Sequence, residues 1–250
     1  MRTFIAVCAA AILAATGAAA VAQSGAGPYA AAFADAKRPA ADKERDARSH
    51  AAEILAFAEV KPGSHVADLV TGGGYYARLF AASVGPSGKV FAWEPAEFIA
   101  FNADYGKGVK ELPTQCANVT GSDAKFGELA LPAGLDVVFT NQNYHDFHLK
   151  PVGEGVAKRM NEAAFKALKP GGVYIVVDHS AVAGAELGVA DTLHRIDAEW
   201  VKQEVTAAGF RFEGESDVLR NPADPRTASV FDPAIRGKTD QFVLKFRKPR

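Results

Sequence analysis

From His65 to His179 the sequence alternates short apolar runs with segments of helical period, and then the alternation stops. That order confines the chain to a sheet of mainly parallel strands with helices on both faces. "HVADLV", "KVFAWEP", "CANVTGSDA", "LDVVFTNQ" from Leu135 and "GVYIVVDHS" are the strand-like runs. The last is continuously apolar, as a strand buried on both faces must be. Between them lie "GYYARLFAASV", "AEFIAFNADYGKGVKEL", expected to break near Gly106, and "VGEGVAKRMNEAAFKAL", expected to end at "KPGG", Lys169–Gly172. At the C-terminus a helix, "DAEWVKQEVTAAGF", leads into "RFEGESDVLR" and "TDQFVLKFRK". Only a proline-containing loop, Asn221–Arg236, separates these two strands, so they should pair antiparallel.

The N-terminus has a different character. Arg2, an apolar run from Phe4 to Ala15 and small residues up to "AVA" at Ala20–Ala22 have the form of a secretory signal cleaved before Gln23. The expected organisation is a signal at 1–22, a flexible arm or loosely docked helix at 23–40, and one domain at 41–250. "DKERDARSHAAEILAFAEV" opens that domain as a helix. The predicted location is periplasmic or secreted. Signal removal leaves Cys116 as the sole cysteine, so no internal disulfide can form. The formal charge of −1 gives no reason to expect nucleic acid, or a membrane after signal cleavage, as a partner. Oligomeric state is not legible.

Ligands of open parallel sheets bind at the carboxyl ends of the strands, near the reversal of strand order. The first strand–turn–helix, "DLVTGGGYYARL", is therefore the place to look. Its glycines satisfy G-x-G-x-x-A through Gly72, Gly74 and Ala77, a short pattern also met in nicotinamide-dependent oxidoreductases. Glu94 ends the second strand, where an acid can accept from both ribose hydroxyls. Asp123 follows the third strand, where a carboxylate can accept from an adenine amino group.

Taken in order, "HVADLVTGGGYYARLFA", "KVFAWEP", "TGSDA", "LDVVFTNQNYHD" and "ALKPGGVYIVVD" resemble class I S-adenosylmethionine-dependent methyltransferases across about residues 45–247. The terminal hairpin is similar too. The resemblance implies a doubly wound, Rossmann-like α/β fold with a seven-stranded, mostly parallel sheet. It implies S-adenosylmethionine as cofactor: Asp68, Gly72 and Gly74 along its methionine part, Glu94 on the ribose and Asp123 on the adenine, with Thr71 and Asn141 as further cofactor contacts. The family's acid-x-Gly-x-Gly-x-Gly is here Asp-Leu-Val-Thr-Gly-Gly-Gly. Val70 is expected to extend the strand and displace the bend to Thr71–Gly72.

Methyl transfer needs an acceptor held in line and, in some cases, relieved of a proton. Four of the six histidines fall after the fourth and fifth strands, in "NQNYHDFH", "DHS" and "TLHRID". Histidine is the side chain suited to proton transfer near neutral pH. His145 is the expected base, with Asp146 orienting it and Tyr144 beside it. His179, His194 and Arg195 are the expected substrate contacts. A cation shared by His145, His148, Asp178, His179 and His194 is the alternative; no recognised ligand spacing supports it, and no metal is expected. The expected function is methyl transfer to a small O- or N-acceptor; no N-P-P-Y signature of nucleic-acid methylases is present. Two other readings stay open: a catalytically idle, exported binding protein on the same fold, and an NAD(P)-dependent oxidoreductase.

Overall fold

Strand β1, His65–Leu69, lies inside the sheet, third from one edge, and the chain winds outward from it in both directions. The computed structural model describes residues 27–250; the signal-like segment and its cleavage site lie outside the described residues. The seven strands are ordered β3-β2-β1-β4-β5-β7-β6. On one side of β1 are β2 (Lys89–Trp93) and β3 (Val119–Ser122), and on the other β4 (Leu135–Asn141) and β5 (Leu168–His179), all parallel. β7 (Gln241–Arg247) runs antiparallel to β5, and β6 (Arg211–Ser216) antiparallel to β7. Two successive strands without a crossover helix have formed the antiparallel pair that their sequence demanded.

The central strands feed two cores at once. Along β5, Val173, Ile175 and Val177 enter one cluster, while Tyr174 and Val176 enter the other. Alternate side chains of a strand point to opposite faces, so only an unbroken apolar run fills both. The first face is covered by α3 (Ala51–Phe57), α4 (Tyr75–Val84) and α6 (Tyr105–Gln115), through Ile54, Leu55, Phe80 and Leu112. The second is covered by α7 (Val156–Ala167) and α9 (Ala198–Ala207), through Val156, Met160, Val201 and Val205.

Local expectations are revised or sharpened at four places. The opening helix is two, α2 (Ala40–Ser49) and α3, because His50 adopts a left-handed conformation between them. The helix expected to break at Gly106 breaks earlier, between α5 (Ala96–Phe101) and α6, where Asn102 is extended and its side chain accepts from the Asp104 N–H. α7 ends before Lys169–Gly172 as expected, and that segment then starts β5, with an irregularity in the register against β4. Of the two readings of segment 23–40, the docked one describes residues 27–40. Tyr29 donates to the Val60 carbonyl at 2.9 Å, α1 (Ala30–Ala34) buries Ala32, and the buried Arg38 forms two hydrogen bonds to Asp46.

Candidate functional site

Strand order reverses at β1, and a cavity of about 640 Å³ opens at the carboxyl ends of β1, β2, β4 and β5. Its floor is the turn after β1. Backbone pairing outlasts the strands there: the Thr71 N–H donates to the Trp93 carbonyl at 2.9 Å, and the Gln142 N–H to that of Val177 at 2.7 Å. These bonds hold both turns in register with the sheet.

Val70 does not extend β1. The strand ends at Leu69 and Val70 turns into the left-handed region, with φ of 56°. A β-branched residue is rare there because its branches crowd the backbone. The bend therefore sits one residue earlier than expected, at the position where the family pattern has glycine. Its carbonyl accepts from Asn143 Nδ2 at 3.2 Å, which ties the β1 turn to the β4 turn.

Asp68, Thr71, Gly72, Glu94 and Asn141 all line the cavity. Thr71 Oγ1 donates to Asp68 Oδ2 at 2.7 Å, and the Gly72 N–H donates to Glu94 Oε2 at 2.8 Å. Burial pushes both carboxyls up to about 7, against these hydrogen bonds. Gly74 is different. It is the left-handed N-cap of α4 and faces Arg78 and Leu112, away from the cavity, whereas Gly73 takes a place in the lining. The G-x-G-x-x-A pattern is thus divided: Gly72 faces the cavity and Gly74 starts the helix. Asp123 is exposed at the end of β3 and outside the lining. The surface beside Glu94 comes instead from α5 and α6: Glu97, Phe98, Phe101 and Tyr105.

The opposite wall carries the histidines. His145 heads the 3-10 turn His145–His148 directly after β4, and it is buried. Its Nδ1 lies 2.8 Å from Asp178 Oδ1, and its backbone N–H donates to Asp178 Oδ2 at 2.7 Å. Its Nε2 lies 3.2 Å from Asp146 Oδ1. Burial lowers its basicity, but the two carboxylates outweigh burial and carry it up to about 10. A carboxylate oxygen at each ring nitrogen therefore fixes the orientation of His145 on this wall. Burial raises the Asp146 carboxyl, and its bonds to His145 and His194 more than reverse this, holding it below its ordinary value. His194, left-handed at φ of 52°, stands edge-on to His145 at 5.4 Å between ring centres. His179 lines the same wall and meets Thr239 Oγ1 through Nδ1 at 2.7 Å; burial lowers it to about 4, so it is neutral.

Two expected site residues point elsewhere. Tyr144 is fully buried, donates to Glu204 Oε2 at 2.9 Å and accepts from Asn161 Nδ2 at 2.8 Å. It pins the turn onto α7 and α9 and touches no part of the cavity. Arg195 is also fully buried. It pairs with Asp224 through two nitrogens, at 2.9 and 3.1 Å, and donates to the carbonyls of Ser180 and Ala228. A guanidinium used up this way cannot receive a substrate.

Asn143, a candidate that "NQNYHDFH" offers beside His145, also takes a place in the lining. The sequence gives no hint of Arg45, Tyr76 and Phe231, which reach the cavity from α2, α4 and the β6–β7 loop. The spacing of Phe98 and Phe101 in a short helix was a local clue to an apolar wall. Arg45 and Phe231 had no local signal, since only the closed chain brings them there.

No family model matches the chain, and no curated protein matches it. Solved structures do resemble it. A SAM-dependent methyltransferase from Aquifex aeolicus is 18% identical, with a TM-score of 0.58 over 84% of this chain and 98% of its own. An arsenic(III) S-adenosylmethionine methyltransferase from Chlamydomonas reinhardtii is 16% identical, with a TM-score of 0.52 over 89% and 73%. The [4+2]-cyclase SpnF is 16% identical, with a TM-score of 0.55 over 86% of each chain. A cyclase in that set is a reminder that one scaffold serves several chemistries. At this level of identity the likeness extends to architecture: the chain has the fold of class I S-adenosylmethionine-dependent methyltransferases.

Proposed function

We propose that this protein binds S-adenosylmethionine and methylates a small oxygen or nitrogen acceptor. One observation carries the reading: Asp68 and Glu94, both buried, flank the Thr71–Gly73 turn on the floor of a single cavity at the switch point of the sheet. Glu94 would accept from the ribose hydroxyls through the oxygen that Gly72 leaves free. Asp68, Thr71, Asn141 and Asn143 would hold the amino and carboxyl groups. Phe98, Phe101 and Tyr105 would cover the adenine by apolar contact. The bound cofactor supplies a methyl group already activated by its sulfonium. What remains for the protein is positioning. His145, clamped by Asp178, fixes Asp146 and His194 on the wall facing the acceptor.

Calorimetry with S-adenosylmethionine and S-adenosylhomocysteine tests the reading. Saturable 1:1 binding that Glu94→Ala weakens at least about tenfold is expected, since the variant loses charge-assisted hydrogen bonds. No heat with either ligand up to millimolar concentration would sink it. A second reading, an exported binding protein that no longer turns over, draws on Val70, which lines the cavity where a glycine would leave more room. Under that reading Val70→Gly tightens ligand binding and no acceptor is methylated. Export belongs to the proposal as well. Sequencing the N-terminus of protein recovered outside the cytoplasm should give a start at Gln23.

A further inference from the structure

The wall opposite the floor of the cavity brings three ligand-type side chains together. His145, Asp146 and His194 each offer one ligand atom, and these atoms lie within 4.8 Å of one another. The two separations from the Asp146 oxygen are 3.2 Å to His145 and 3.8 Å to His194. Ligands bonded to one zinc ion at about 2.0–2.1 Å stand roughly 3.3 Å apart in tetrahedral geometry. The three atoms are thus within a few tenths of an ångström to about an ångström and a half of that spacing. Two imidazoles and one carboxylate suit a divalent transition ion; hard ions such as Mg²⁺ prefer all-oxygen sites.

The surroundings are also those of a ligand set. A metal-bound histidine characteristically gives its other ring N–H to a carboxylate, which fixes ring orientation and raises ligand basicity. His145 does this through Nδ1 to the fully buried Asp178. Asp178 is itself held: it accepts from the His145 and His179 N–H groups, both at 2.7 Å. Asp146 and His194 reach the cavity, so a fourth position on the ion would open toward it. His194 is turned there by its left-handed backbone and by the Phe231 ring, 4.8 Å from its own.

We propose that His145 Nε2, Asp146 Oδ1 and His194 Nδ1 form a three-ligand site for one divalent transition-metal ion, with Asp178 as the buried support of His145 and the open position facing the cavity. The site does not depend on methyl transfer. Its use would: an acceptor hydroxyl bound at the open position would form a metal–oxygen bond and release its proton to water more readily. That consequence rests on the proposed function.

The test uses Zn²⁺ on full-length protein without a histidine tag, stripped with chelator and dialysed. Calorimetry should show one Zn²⁺ per chain, not displaced by millimolar Mg²⁺. His194→Ala should weaken binding at least about tenfold, and Asp178→Asn by about 10–100-fold. His148→Ala, whose ring pairs with Glu204 outside the cavity, should leave binding unchanged. Co²⁺ in place of Zn²⁺ should give the intense visible absorption of four- or five-coordination, which needs no variant to fold. Absence of stoichiometric Zn²⁺, binding insensitive to His194→Ala, binding abolished by His148→Ala, or a weak six-coordinate Co²⁺ spectrum would each overturn the site. These readouts involve neither S-adenosylmethionine nor turnover, so failure of the metal site and failure of methyl transfer are separable.

Discussion

Val70 shows how one residue carries strain at a binding turn. Its left-handed backbone costs roughly 1–2 kcal/mol. The fold tolerates this because the side chain packs into the second core and the Asn143 amide holds its carbonyl. At an unstrained position glycine is less stable than alanine by about 0.5–1 kcal/mol, through backbone entropy alone. At Val70 glycine sheds the strain and alanine does not. By urea titration, Val70→Gly should therefore be as stable as Val70→Ala or more stable by up to about 1.5 kcal/mol. Glycine falling a full kcal/mol below alanine would refute the strained turn. Glu94 makes the pH-dependent prediction. Its carboxyl is raised from 4.5 to about 7, and that of Asp68 from 3.8 to about 7. The native state therefore keeps protons that the unfolded chain releases, and their contribution to stability declines as pH rises from about 4 to about 7. Ligand binding has the opposite sign, because ribose hydroxyls donate to the ionised form. Affinity for S-adenosylhomocysteine should rise about tenfold between pH 6 and pH 8, and Glu94→Gln should remove its share of that rise. A flat profile in the wild type would contradict the ribose assignment.

Among the elements, α6 matters most to the cofactor floor. Gly108 brings this helix so close to the β1 turn that a Cβ there would stand 2.0 Å from the Gly72 carbonyl oxygen. That contact is with backbone, which cannot rotate away. Gly108→Ala should therefore cost about 1–3 kcal/mol of stability and weaken adenosyl-ligand binding. Thermal melts and calorimetry on one preparation would read both. An alanine variant of wild-type stability and affinity would show that the helix can shift without cost. β5 acts through its length. Twelve residues place Asp178 and His179 at its far end, and Asp178 then orients His145 across from β4.

Across the whole molecule, the β6–β7 connection closes the site from the far side of the sheet. Val230 and Phe231 of that loop line the cavity, and the Val230 N–H donates to the Leu193 carbonyl at 3.1 Å. Arg195 and Asp224 anchor the loop to the end of β5, and both side chains are wholly buried. Removing one partner of such a pair strands a charge in the interior. Arg195→Ala should lower unfolding free energy by about 3–5 kcal/mol. The loss should register in the denaturation midpoint. A variant with unchanged stability but a raised KM would restore Arg195 as a substrate contact.

The sequence by itself determined the succession of strands and helices, the antiparallel ending and the acids at the ends of β1 and β2. These follow from local periodicity and from offsets along a short stretch of chain. The glycine-turn question was half legible. The run of glycines located the turn, but only the folded backbone assigned left-handed φ to Val70 and moved Gly74 out of the cavity. Helix breaks at His50 and Asn102 escaped pattern reading because neither residue is a strong helix breaker. Side-chain roles were the least legible. Tyr144, His145 and Arg195 looked like reactive residues by type, and each is explained by a partner 29 to 60 positions away: Glu204, Asp178 and Asp224. Protonation and access depend on burial and on charges brought together by folding. Both are properties of three-dimensional neighbours, so only the tertiary structure could decide which polar residues face the cavity and which hold it together.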